Sequence, residues 1–253
     1  MNINSDINIL GGLPDWNLIN VFLKEDIKSI QSSKEEINSY TAIKTDKSVK
    51  RFKKAITGTL LNFNNDNVRL LFRSLIETKG VNSDLLIFLF WNASVNNELL
   101  HYLNEKVFFP ALYTGRISIK NDEVTACIKE LKSSENDLQG WSESTITTTA
   151  SKYLTLLKKF GLMEGSINKI INHPYLSDEM FVVYIYWLII SSNMPNLLKS
   201  KWLPYSFTEF QPFLDRLMQK KFFKYFNVIY IGDNLNVEPL ITYEKLYDSI
   251  HKS

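Results

Sequence analysis

Thr148, Lys152, Thr155 and Lys159 are the side chains whose types and spacing most plainly suggest chemistry. Separations of four, three and four residues put them on one stripe of a helix. Hydroxyl and ammonium groups in such a stripe donate to phosphate oxygens. Contacts of that kind position a protein on a polyanion without reading base sequence. The same stripe also describes the solvated face of an ordinary amphipathic helix, and spacing alone does not separate the two. A second basic group, Lys50, Arg51, Lys53 and Lys54, crowds the first turns of a helix expected over Val49 to Leu61.

The element carrying the first stripe is well signalled. Ile146, Ala150, Tyr153, Leu154 and Leu157 recur at three- and four-residue intervals on the opposite side. Ser142 or Ser144 can accept a hydrogen bond from a free backbone N–H of the first turn. Gly161 can take the left-handed conformation at the stop, with Leu162 packing back on the last turn. Glu164-Gly165-Ser166 then separates two short runs, which reads as a hairpin tip. Helix followed by hairpin is the second half of a winged helix, a module that docks on duplex nucleic acid.

The remaining pattern is mostly helical. Helices are expected over Trp16 to Ile30, Asp66 to Thr78, Ser83 to Trp91, Glu98 to Phe109 and Asp122 to Lys132, with Pro110 stopping the fourth; Gln31 to Asp46 reads as a polar loop or short helix. Asp178 to Ser191 is a strongly apolar helix. Thr208 to Gln219 reads as a helix opened by a capping box of Thr208 and Gln211, with Phe210, Phe213, Leu214, Leu217 and Met218 on its buried side. Gly232-Asp233-Asn234 is a hairpin turn between Phe223 to Ile231 and Leu235 to Ile241. The expected fold class is therefore mainly α-helical with small β-hairpin wings. Its expected parts are a helical region over 1–120, a winged-helix-like unit over 121–175 and a second over 176–253.

Composition bounds the function. Net charge is only +2, but it is unevenly spread: residues 41–80 carry a net +6 and residues 141–175 a net +2, while 1–40 and 81–140 each carry −3. Positive charge thus gathers on the two candidate helices, as suits a polyanion partner. Cys127 is the single cysteine, so no internal disulfide can form; it is expected to pack as a small apolar residue, and a cytoplasmic location fits. The longest apolar run, Met180 to Ile190, is shorter than the ~20 residues that span a bilayer. His101, His173 and His251 are scattered without ligand spacing, and no phosphate loop or GxGxxG pattern occurs; Gly11-Gly12 is not such a loop. No nucleophile–base or acid–base set can be named. The expectation is a non-enzyme without metal or cofactor.

Three segments resemble the BrxA family, the small accessory proteins of BREX bacteriophage-exclusion systems. They are the entry INILGGLPDWNLINVFL, the basic helix SVKRFKKAITGTLLNF, and WSESTITTTASKYLTLLKKFGLM followed by INHPYLS. The resemblance implies a mainly helical phage-defence protein with small winged-helix elements that binds duplex DNA and works beside other BREX components. A second copy of the chain is a further candidate partner. The family has also been likened to the NusB antitermination factor, which leaves RNA as an alternative target; a protein–protein adaptor is another. A former label as an inner-membrane family conflicts with the short apolar runs. Unlike a strong sequence reader, the candidate helix has no arginine, the residue that most often contacts guanine in a bidentate manner. Weak sequence preference and strong salt dependence are the corollary.

Overall fold

The computed structural model describes residues 3–13, 45–166 and 169–251. The helix expected over Trp16 to Ile30 and most of the polar segment 31–46 lie outside the described residues. In chain order the elements are α1 (Asp6–Gly11), α2 (Asp46–Ala55, prolonged by a π turn Ile56–Leu60), α3 (Asp66–Lys79), α4 (Ser83–Asn96), α5 (Glu98–Leu103, prolonged by a π turn Asn104–Phe108), α6 (Phe109–Tyr113), α7 (Asn121–Ser134), α8 (Glu143–Lys159), β1 (Met163–Glu164), β2 (Ile170–Ile171), α9 (Asp178–Ser192), α10 (Phe210–Leu217), β3 (Phe226–Ile231), β4 (Asn234–Pro239) and α11 (Tyr243–His251). The chain is thus mainly α-helical, with two small antiparallel hairpins, β1–β2 and β3–β4, among the described residues.

These elements form two compact units, Met1–Asn62 with Leu89–Asn172, and Phe63–Phe88 with His173–Ser253. The helical region expected over 1–120 therefore contributes to both.

In the first unit Phe90 meets Phe108 and Phe160 at ring-centroid distances of 6.2 and 5.6 Å, and Trp91 is fully buried. A chain of buried polar groups crosses this core. Tyr153 donates to Asn104 Oδ1 at 3.0 Å, Asn104 Nδ2 donates to Ser94 Oγ at 3.0 Å, and Ser94 donates to the Phe90 carbonyl at 2.8 Å. Buried polar atoms need such partners, because water cannot reach them. Pro110 does not stop the preceding helix as expected. The chain passes through a π turn, and Pro110 falls at the start of α6, where its missing N–H has no helical acceptor to lose. Cys127 is half-buried on α7 rather than in the core, and burial raises its thiol above the ordinary value.

The second unit is organised by α9, apolar on every side and buried from Met180 to Leu188. Phe181 packs on Phe213 and Phe222, and Trp187 on Trp202 and Tyr205. Its tyrosines keep their hydroxyls satisfied: Tyr184 donates to the Trp202–Leu203 carbonyls, and Tyr186 to those of Tyr225 and Ile241. Burial pushes the Tyr186 phenol up to about 12. The capping box expected at Thr208 and Gln211 does not form. The helix starts at Phe210, Thr208 bonds instead to Ser206, and Gln211 donates to Asp215 one turn on. Met218, expected on the buried side, is 46% exposed just past the helix end. The expected hairpin forms, but its turn is only Gly232-Asp233: Asn234 pairs with Ile231 as the first residue of β4, and β3 starts at Phe226 rather than Phe223.

Candidate nucleic-acid interface

Ser142 caps α8, its side chain accepting from the Thr145 N–H at 3.1 Å. Gly161 closes the helix with φ +77°, and the Leu162 N–H returns to the Leu157 carbonyl at 3.0 Å. Ile146, Ala150, Tyr153, Leu154 and Leu157 are buried as the spacing predicts. β1 and β2 follow as an antiparallel pair, Met163 opposite Ile171. Residues 117–119 lie along the other edge of β2. Ser118 bridges Ile170, the Ile119 N–H donates to the Lys169 carbonyl, and the Ile171 N–H to the Ile117 carbonyl. The local order is therefore α5–α6, an extended stretch, α7, α8 and the hairpin.

The four residues of the predicted stripe do not share one environment. Thr148 is exposed, whereas Lys152, Thr155 and Lys159 are half-buried. For Lys152 and Lys159 the cause is α1, which lies along one flank of α8. Asn8 Nδ2 donates to Thr149 Oγ1 at 3.0 Å, and Lys159 donates to the Leu13 carbonyl. A Cβ on Gly11 would stand 2.3 Å from the Lys152 carbonyl oxygen. Gly11 is thus a close-approach glycine, a packing reason for a residue without a side chain at this position. α1 is held by further bonds, Thr59 to the Asp6 carboxylate at 3.0 Å and Asn97 to Asn4 at 2.7 Å.

What remains open on α8 is the neighbouring flank, with Ser144, Thr147, Thr148, Ser151 and Lys158 exposed and Thr155 at its margin. Thr155 turns its hydroxyl proton back to the Ser151 carbonyl at 2.9 Å. Beside this flank is a cleft of about 420 Å³ lined by Ser118, Lys120, Asn121, Ser151, Thr155 and Lys169 among others. Lys158 and Lys169 both donate to the Gly165 carbonyl, at 3.0 and 3.4 Å. Burial first, and the Lys158 charge second, push the Lys169 ammonium below its ordinary value. Lys158, Ser151, Lys120 and Lys169 were not singled out from the sequence; the first two continue the spacing from Ser144 and Thr148, while Lys120 and Lys169 are brought in by the fold. Lys50, Arg51, Lys53 and Lys54 are exposed on α2, in the same unit, and α2 packs against α1.

The fold and this surface define a mainly helical protein that presents hydroxyls and lysines beside a hairpin. No helix among the described residues is long and apolar enough to cross a membrane, and no group of three or more His, Cys, Asp and Glu side chains there could hold a metal. The BrxA family model matches residues 41–184, more than half of the chain. The chain therefore belongs to the BrxA family, which makes it an accessory component of BREX phage defence. No curated protein and no solved structure matches it.

Proposed function

We propose that α5 through β2 form a winged helix that docks α8 on duplex DNA, and that the protein serves BREX defence as a non-enzymatic, cytoplasmic DNA-binding factor. The observation that carries this reading is the exposed α8 flank of hydroxyls ending in Lys158, set beside a hairpin whose β2 also pairs with residues 117–119. Groups of this kind bond to backbone phosphates, so binding is broad in sequence and salt-sensitive. A single-stranded RNA target would call for exposed rings on which bases stack. Tyr153 is buried and Tyr113 is half-buried against Phe109, so neither supplies such a platform in the first unit; the exposed rings Tyr175, Phe223 and Tyr230 belong to the second unit. The second hairpin carries Asp233 and Glu238 and no basic residue, which suits contact with other BREX proteins better than with DNA.

The test is a mobility shift on a random-sequence duplex with matched RNA as competitor. Replacing Ser151 and Thr155 together by Glu should weaken binding to all sequences about equally, by tenfold or more. Replacing Lys152 and Lys159 by Glu bears on the flank next to α1 and should matter less at equal folded content. Unchanged affinity in the Ser151–Thr155 variant, or displacement by RNA, would contradict the reading.

A further inference from the structure

The cleft beside α8 has features that a solvated helix face does not require. Lys169, which lines the cleft, and Lys158, joined to it through a shared acceptor, crowd one carbonyl, that of Gly165. Neither has a carboxylate partner among the described residues; the adjacent Glu164 is exposed and pairs with neither. Like charges held together, one of them half-buried, are unfavourable unless an anion lies between or beside them. A third lysine, Lys120, opens the other wall and also lacks an ion-pair partner there.

The wall at Lys120 is the N-terminus of α7, fourteen residues long. Its first backbone N–H groups carry the positive end of the helix dipole. Glu123 caps that end from within the helix, accepting from the Lys120 N–H at 3.0 Å, and its own charge is matched by Arg116 at 2.6 Å. Asn121 lines the cleft with a buried Oδ1 that has no hydrogen-bond partner. Half a turn of that amide presents N–H donors in its place. Ser151 adds an exposed hydroxyl on the α8 side.

We propose that this cleft is a phosphate-binding site in which Lys158 and Lys169 on the hairpin side, and Lys120 and Asn121 at the start of α7, enclose a single phosphate group. The duplex-DNA reading above supplies the source, one backbone phosphate clamped beside the loop of the hairpin; the site itself does not depend on that reading.

The experiment is amide NMR of the full chain titrated with inorganic phosphate, and separately with a 16-base-pair random duplex. In the wild-type protein phosphate should saturably shift the amides around Ser118 to Asn121, Ser151 and Lys169, and the duplex should displace it. The double variant Lys158→Gln, Lys169→Gln should bind phosphate at least tenfold more weakly, and Lys158→Arg, Lys169→Arg should retain it. The Gln pair should also lower the slope of log affinity for the duplex against log salt by about one to two, the change expected for one or two lost phosphate contacts. If phosphate moves no cleft amide and the Gln pair binds duplex as the wild type does, the cleft proposal fails while DNA binding stands. If phosphate binds the cleft but duplex binds nowhere, the cleft stands as a site for free phosphate and the DNA reading fails.

Discussion

Gly11→Ala is the sharpest probe of how α1 covers α8. The added Cβ would sit 2.3 Å from the Lys152 carbonyl oxygen and 2.9 Å from the Lys152 carbonyl carbon and Cβ. These obstacles are mostly backbone of a core helix and cannot swing aside, so α1 must lift. Overpacking costs about 1–3 kcal/mol, and backbone obstruction places this case near about 3 kcal/mol. For a chain of this size that corresponds to a fall of roughly 6–12 °C in melting temperature. Two neighbours calibrate the result. At Gly12 the tightest contacts are with the same turn of α1, and the α8 atom nearest is the mobile Lys152 Nζ at 3.7 Å, so Gly12→Ala should cost under about 1 kcal/mol. At Gly58 no atom lies within 4 Å, so Gly58→Ala should be neutral or stabilising by about 0.4–1 kcal/mol. Thermal unfolding followed by circular dichroism, with hydrogen exchange read on α1, would measure all three. Gly11→Ala melting with the wild type would refute the packing of α1 on α8, and with it the assignment of the open flank.

Tyr153→Phe removes the donor to the buried Asn104 Oδ1 and should cost about 1–3 kcal/mol in urea unfolding; a change under about 0.3 kcal/mol would show the network is not formed. Gly161→Ala meets no atom within 4 Å but must hold φ +77°, so a loss of about 1–2 kcal/mol should come from the backbone alone, the opposite sign to Gly58→Ala. Asp178 is held below its ordinary value, first by the Lys221 hydrogen bond and then by Arg216 against the opposing effect of burial. Its folded value lying below its unfolded value of about 3.9, its contribution is present at neutral pH and fades as pH falls through the folded value. The stability gap between wild type and Asp178→Asn should therefore be small, because the pair is half-exposed, and should close below about pH 4; a gap that is constant with pH would contradict this.

Much of α8 was legible because the rules that set it are local. Spacing fixed its apolar side and Gly161 its end, and of the two caps open in the sequence, Ser142 and Ser144, the fold uses Ser142. Which part of the polar side stays open was not legible, since that depends on α1, whose Asn8 meets Thr149 from far away in the sequence. One signal was available: Leu156, fully buried, lies on the Lys152 flank, and an apolar residue there marks a covered surface. Lys169 and Lys120 escaped notice because a hairpin and a helix start bring them to α8, and no periodicity within one element reports that. Pro110 shows another limit. A proline ends a regular helix, but a π turn lets the chain pass into a new first turn, where a proline is accepted. At Thr208 the hydroxyl bonds back to Ser206, and the helix starts one residue later than expected, with Glu209 at its N-cap and no side-chain cap.

The most direct test of DNA binding through the open flank of α8 is the affinity of the purified protein for a random-sequence duplex across a salt series, for wild type and for the Ser151→Glu, Thr155→Glu pair. The account predicts measurable binding at low salt, log affinity falling linearly with log salt at about −0.9 per phosphate contacted, and at least tenfold weaker binding by the variant. No binding at low salt, or binding that neither salt nor the variant alters, would contradict it.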